Sequence, residues 1–264
     1  MRALPVLALL CACNAAPTGS ADPATAAPKP GPEPAKESPP TVKPNDTPVD
    51  TGRPPADLER DAARKPQEVM DFAGIEPGMR VAELMSGGGY YADLLSRRVG
   101  PSGAVFAHNR PFVFKRFAEK RIAKRLENPA LGNVQRLDTE LEDPKLPAEL
   151  DAVLIFLFYH DLYWQQVDRG AMNRAVFTSL RPGGVFTVID HSALDGHGSD
   201  DVKSLHRVEE SLVTKEILAV GFELAAASDM LRNADDPRDY NVFSPPDGRD
   251  KTDRFVLKFV KPKS

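Results

Sequence analysis

Three short stretches of the 264-residue chain carry residue types that can do chemistry. The first is Glu83, followed by the triplet Gly87-Gly88-Gly89. A glycine turn that opens a helix presents backbone N–H groups and a helix N-terminus to an anionic ligand. The second is Tyr159-His160-Asp161 and the third is Asp190-His191. A histidine held by a carboxylate can accept a proton near neutral pH. His160 or His191 is therefore the candidate base, with Asp161 or Asp190 orienting it. The structural alternative is that His160 caps the next helix and His191 satisfies a loop. Asp190, His191, His197 and His206 are also metal-ligand types, but their spacing matches no tight motif, and no metal is expected. His206 and Arg207 read as residues of a helix face. Tyr163 and Trp164 are either core or an aromatic wall for a substrate.

These residues need elements to position them. Apolar runs predict strands at Arg80 to Leu84, Ala104 to Ala107, Asn133 to Leu137, Asp151 to Phe158 and Val185 to Ile189. Two late strands are expected near Phe222 to Leu224 and Phe255 to Phe259. Helices are expected over Asp57 to Phe72 with a break at Pro66, Tyr90 to Val99, Phe112 to Leu126, Ala171 to Leu180 and Val202 to Ala219. Arg181-Pro182-Gly183-Gly184 reads as a turn. Strands alternating with helices predict an α/β fold with a parallel sheet covered on both faces. Ligands of such sheets bind beyond the carboxyl ends of the strands. Glu83 to Tyr91, Asn109, Asp138, Tyr159 to Asp161 and Asp190-His191 all lie there.

The formal net charge is −4, without the basic surplus of a nucleic-acid binder. One local basic run, Lys115 to Arg125, reads as the solvated face of an amphipathic helix, or else as a surface for an anionic ligand or a membrane. The two cysteines, Cys11 and Cys13, both precede the domain, which excludes a disulfide, a thiolate cluster or a cysteine nucleophile within it. Met1-Arg2 and the apolar stretch to Leu10 read as a secretory signal. Residues 14–55 are rich in proline and poor in large apolar residues, the composition of a disordered tether. The folded domain is expected over 56–264.

Gly87-x-Gly89-x-x-Ala92 also fits the dinucleotide fingerprint, so the glycines alone admit two ligand classes. Glu76-Pro77-Gly78, the strand to Leu84, Glu83 and Gly87-Gly88-Gly89 resemble motif I of class I S-adenosylmethionine-dependent methyltransferases. Leu180-Arg181-Pro182-Gly183-Gly184 resembles the turn before strand five of that family, and Ala219-Val220-Gly221-Phe222 the segment before strand six. Gly87 to Tyr91, Tyr159-His160-Asp161 and Thr252 to Val256 resemble a bacterial branch of it. The resemblance implies a doubly wound, Rossmann-like, mostly parallel sheet with an antiparallel last strand. It implies S-adenosylmethionine as cofactor, held by Glu83, Met85, Gly87, Gly88, Gly89, Tyr90, Asn109, Asp138 and Tyr159, and methyl transfer to a small-molecule acceptor. Met85 stands where the family has its first loop glycine, and Asn109 where it has the acid that binds ribose. Two other functions stay open: a ligand-binding domain without catalysis, and a nicotinamide-dependent oxidoreductase. Leu10-Cys11-Ala12-Cys13 resembles a lipobox, which implies lipidation of Cys13. With Asn14 following, it implies a periplasm-facing protein anchored by lipid alone, at the outer rather than the inner membrane.

Overall fold

The computed structural model describes residues 52–244 and 248–263. The signal segment, Cys13 and nearly all of the proline-rich stretch lie outside the described residues. The guanidinium of Arg53 is buried against Asp61 at 2.6 Å. Helix α1 (Pro55–Arg64) and helix α2 (Pro66–Ala73) each begin with proline, whose fixed φ suits a first turn. They part at Lys65, in the left-handed region at φ 44°. Strand β1 (Arg80–Leu84) leads through the glycines into α3 (Tyr90–Val99). Strand β2 (Ala104–Asn109) follows. A short helix, α4 (Pro111–Val113), passes through a π-turn, Phe114–Ala118, into α5 (Glu119–Leu126). Then come β3 (Val134–Asp138), β4 (Leu150–Phe156), α6 (Asp161–Trp164), α7 (Arg169–Ser179) and β5 (Leu180–His191). Last are α8 (Glu210–Leu218), β6 (Glu223–Ser228), α9 (Gly248–Lys251) and β7 (Arg254–Val260).

The strands form one seven-stranded sheet in the order β3-β2-β1-β4-β5-β7-β6. Only β7 runs against its neighbours, β5 and β6. Alternate residues of each central strand enter opposite layers. Ala82, Leu84, Val153 and Ile155 pack on one face, and Val81, Ala152 and Leu154 on the other. Near-continuous apolar strands are what a sheet covered on both faces requires. The chain leaves β1 toward β2 and β3 on one side and returns to β4 on the other. The crevice between the carboxyl ends of β1 and β4 is therefore the switch point, where ligands of open α/β sheets bind.

Three local expectations are corrected. The segment Leu180–Gly184 is not a free turn: it belongs to β5, with an irregular register opposite Leu150 and Ala152. Gly184 is needed because a Cβ would lie 2.9 Å from the Arg181 carbonyl. Strand β4 ends at Phe156, because Leu157 takes a left-handed φ of 54°. The helix expected from Val202 begins only at Glu210. Arg207 is fully buried, with Asp236 at 2.8 Å and the Ser192 carbonyl at 3.1 Å. A buried guanidinium must find a carboxylate and carbonyls, and residues 201–208 run as turns to deliver it. Arg207 and His206 thus do not sit on a helix face.

Candidate functional site

The glycine turn is built around a buried acid. Glu83 is 3% exposed, and burial pushes its carboxyl up to about 8 against the pull of the Ser86 hydroxyl, Arg64 and Arg125. Its Oε2 and the neighbouring Ser86 Oγ are buried close together and make no hydrogen bond of good geometry. Met85 holds φ 54°, a conformation that costs a side-chain-bearing residue strain and that glycine adopts freely. Gly87 N donates to Asn109 Oδ1 at 2.8 Å, and Asn109 Nδ2 donates to the Gly87 carbonyl at 3.4 Å. Asn109 is fully buried, so it brackets the turn rather than facing a ligand. A carboxylate could not make the second bond, which gives asparagine a structural reason to stand here.

Helix α5 closes over the turn. A Cβ on Gly88 would come 3.1 Å from Arg121, and one on Gly89, at φ 83°, 3.0 Å from Arg125. Arg125 donates to the Gly88 carbonyl at 2.8 Å and pairs with Asp93 at 2.9 Å and Asp57 at 2.6 Å. The basic run is therefore not wholly a solvated face, because two of its arginines clamp the glycines. The π-turn aims Phe114, Ala118 and Ile122 at the core and leaves Phe117 exposed.

Above the turn lies a cavity of about 420 Å³ between the carboxyl ends of β1 and β4. Glu83, Met85, Ser86, Gly87, Gly88 and Tyr90 form part of its wall. Tyr91 and Phe156, stacked with ring centres 3.8 Å apart, form another part. Arg60, Arg64 and Arg249 face the cavity from α1 and α9. Burial and repulsion from Arg64 and Arg60 push the Arg249 guanidinium down to about 10, and its Nε has no partner. The four exposed large aromatic side chains among the described residues, Phe112, Phe117, Trp164 and Phe243, all border this cavity. A larger groove of about 890 Å³ lies beside α8, but its Arg232 and Arg238 are already paired with Asp253.

The residues proposed from sequence divide sharply. Tyr159 turns away from the cavity: it is fully buried, 3.1 Å from Glu216 and 2.9 Å from Asn173 on α7. The bend at Leu157 sends Leu157 and Phe158 to the cavity instead. Asp138, on the edge strand, pairs with Arg136 at 2.6 Å and lies outside the cavity wall. The two histidine motifs do converge, with the rings of His160 and His191 5.8 Å apart. Asp190, fully buried, accepts from His160 Nδ1 and N and from His191 N at 2.7–2.8 Å. Burial pulls the His160 imidazole down, but the carboxylates of Asp190 and Asp161 outweigh it and raise it to about 9. His191 is held well below its ordinary value by burial and by the charges of His160 and nearby arginines, and its Nδ1 meets Thr252 at 2.6 Å. Neither ring lines the cavity; of the four, only Asp161 does. Burial works to raise the Asp161 carboxyl, but His160, His206 and Trp164 hold it far below the usual range. His206, on the turns before α8, completes the cluster with Nδ1 3.0 Å from Asp161 Oδ1. The sequence carries no signal for Arg64 and Arg249, which come from segments distant in the chain, and His206 reads there only as a metal-ligand type or a helix-face residue.

The fold superposes on those of known structures. An S-adenosylmethionine-dependent methyltransferase from Aquifex aeolicus superposes with a TM-score of 0.55 at 17% identity, over 76% of this chain and 97% of the other. The cyclase SpnF gives 0.58 at 15% identity, over 77% and 82%. The fold is that of the class I methyltransferases. Fibrillarin from Aeropyrum pernix, described with natively bound S-adenosylmethionine, gives 0.50 at 16% identity, over 76% of each chain. No protein-family model matches the chain. That one neighbour is named a cyclase shows that the frame alone does not decide the reaction.

Proposed function

We propose that the domain binds S-adenosylmethionine over the glycine turn and directs its methyl group to a small-molecule acceptor. The observation that carries this reading is the switch-point cavity itself, whose floor holds two buried polar atoms in no hydrogen bond of good geometry, Glu83 Oε2 and Ser86 Oγ. Both suit a ligand with donor groups, and Glu83, protonated to about 8, can also donate. Arg64 and Arg249 suit the carboxylate of an amino-acid moiety or of the acceptor. The Tyr91–Phe156 stack and Phe112 offer apolar walls for a planar base. The likeness to methyltransferase folds, one with the cofactor bound, supports the assignment.

The bound cofactor would supply an activated methyl group on a sulfonium. The chain's own part is proximity: to hold the acceptor in line and keep water out, worth several kcal/mol of barrier, roughly 7 or more in well-oriented cases. Three arginines and four rim aromatics point to an acceptor with an apolar body and an anionic group. Because His160 and His191 are sealed from the cavity, binding without turnover is the second reading. An oxidoreductase would need an acid at the ribose, where Asn109 is committed to Gly87. Calorimetry of the full chain separates the first two readings from the oxidoreductase, and turnover with a candidate acceptor separates the first from the second. S-adenosylmethionine and S-adenosylhomocysteine are expected to bind at one equivalent and NAD not at all; silence from the first two overturns the reading.

We also propose that Cys13 carries lipid and holds the domain at the outer membrane, facing the periplasm. The lipobox-like Leu10 to Cys13 and the proline-rich spacer support it. Palmitate labelling is expected in the wild type and absent in Cys13→Ser, and equal labelling of both would refute it.

A further inference from the structure

The cluster at the ends of β4 and β5 contains a group that its hydrogen bonds leave unexplained. His160 is 1% exposed, and its Nε2 has no hydrogen-bond partner. That nitrogen lies 3.1 Å from Asp161 Oδ1, near enough for a hydrogen bond but not in line for one. On the other side of the ring, Nδ1 is tied to the Asp190 carboxylate at 2.7 Å. A carboxylate on one ring nitrogen is the usual outer support of a metal-bound histidine. It fixes the tautomer and leaves the other nitrogen's lone pair free to bind. Here that nitrogen faces a carboxylate oxygen, a place that a proton fills in the metal-free protein and that a divalent ion would take over.

A third donor meets the same point. His206 Nδ1 lies 3.0 Å from Asp161 Oδ1, and its ring stands edge-on to His160 with centres 5.4 Å apart. The three donor atoms lie within 4.8 Å of one another. Ligands about 2.0–2.1 Å from one ion stand roughly 3.3 Å apart in a tetrahedron, close to the two distances observed. His206 reaches this point from a left-handed backbone, φ 57°, a strained conformation of the kind that collects at ligand sites.

We propose that His160 Nε2, Asp161 Oδ1 and His206 Nδ1 bind one divalent transition ion of the zinc class. Two imidazoles and one carboxylate with a position left open is the donor set of catalytic zinc sites. The oxygen ligand Asp161 borders the cavity, so the open position is available to an oxygen-donor ligand there. The site is absent from simple motif searches because His206 stands 46 residues beyond His160 in the chain and is brought back by the buried Arg207–Asp236 pair. It does not depend on what the glycine turn binds.

The test is metal binding by the full chain carrying Cys11→Ser and Cys13→Ser, which removes its only thiols. After chelator stripping, the protein is titrated with zinc and with cobalt, followed by calorimetry and by the visible absorption of bound cobalt. One equivalent is expected, with the intense absorption of a low-coordinate cobalt centre. His206→Gln and Asp161→Asn should each weaken binding about tenfold or more, whereas His197→Gln, on an exposed His197–Asp201 pair, should not change it. His206 is part-exposed, so His206→Gln is read only once circular dichroism shows a native fold; the same check applies to Asp161→Asn. No stoichiometric binding, or equal binding by wild type and His206→Gln, overturns the site, as does loss on His197→Gln.

Discussion

Glu83 and Asn109 show how much a single side chain decides here. A carboxyl raised by burial is neutral in the folded protein where it would already be ionised in the unfolded chain. The folded state therefore binds more protons between the ordinary carboxylate range and about pH 8, and stability falls as pH rises through that window. Glu83→Gln is expected to remove this slope. Melting measured from pH 5 to 9 should show the variant gaining on wild type as pH rises; parallel curves would contradict the assignment. Asn109→Asp tests the bracket from the other side. It replaces the donor to the Gly87 carbonyl with a second acceptor in a fully buried place. A loss of about 1–3 kcal/mol is expected in denaturant unfolding, together with weaker ligand binding. The sequence placed Glu83 and Asn109 near the carboxyl ends of β1 and β2, where they stand, but the bonds of Asn109 to Gly87 were not legible in it. Alignment to strand ends shows where a residue is, not which way its amide faces.

At the scale of elements, the clamp of α5 on the glycines and the buried Arg207–Asp236 pair are what shape the site. Gly89→Ala meets Arg125 at 3.0 Å and a φ of 83°, so a cost of about 1–2 kcal/mol from the backbone alone is expected. The same variant should lose ligand affinity as α5 is displaced; a stable variant with unchanged binding would show that α5 does not form the cavity roof. Arg207→Ala leaves Asp236 buried without its partner, and a loss of about 3–5 kcal/mol is expected by urea unfolding. The central strands β1, β2, β4 and β5 were legible in the sequence because each contains a short apolar run. The turns from Asp201 to Val208 were not. Their apolar spacing reads as helix, and only the distant Asp236 makes burial of Arg207 favourable. The bend at Leu157 was hidden for a similar reason, since Leu157 and Phe158 continue the apolar run of β4. That bend is why Tyr159 points to Asn173 and Glu216 rather than to the cavity.

For the whole molecule, the fold places its chemistry at one point, the crevice where the sheet order reverses. Two clusters meet there, the glycine turn with its buried polar atoms and the histidine–aspartate group of β4 and β5. The order of motifs along the chain was enough to anticipate the sheet, because each helix between parallel strands has few ways to return. It could not anticipate the arginines of α1 and α9, which come from opposite ends of the sequence and reach the cavity side by side. Ligand at a hundred times its dissociation constant adds about 2.7 kcal/mol, which for a domain of this size is roughly 5–10 °C in Tm. S-adenosylhomocysteine should produce that shift and NAD should not. The most direct test of the central claim is a crystal structure of the protein grown with S-adenosylhomocysteine. The ligand is predicted between β1 and β4, against Gly87 and Gly88 and within hydrogen-bond reach of Glu83. An empty cavity at saturating ligand, or the ligand bound elsewhere, would contradict it.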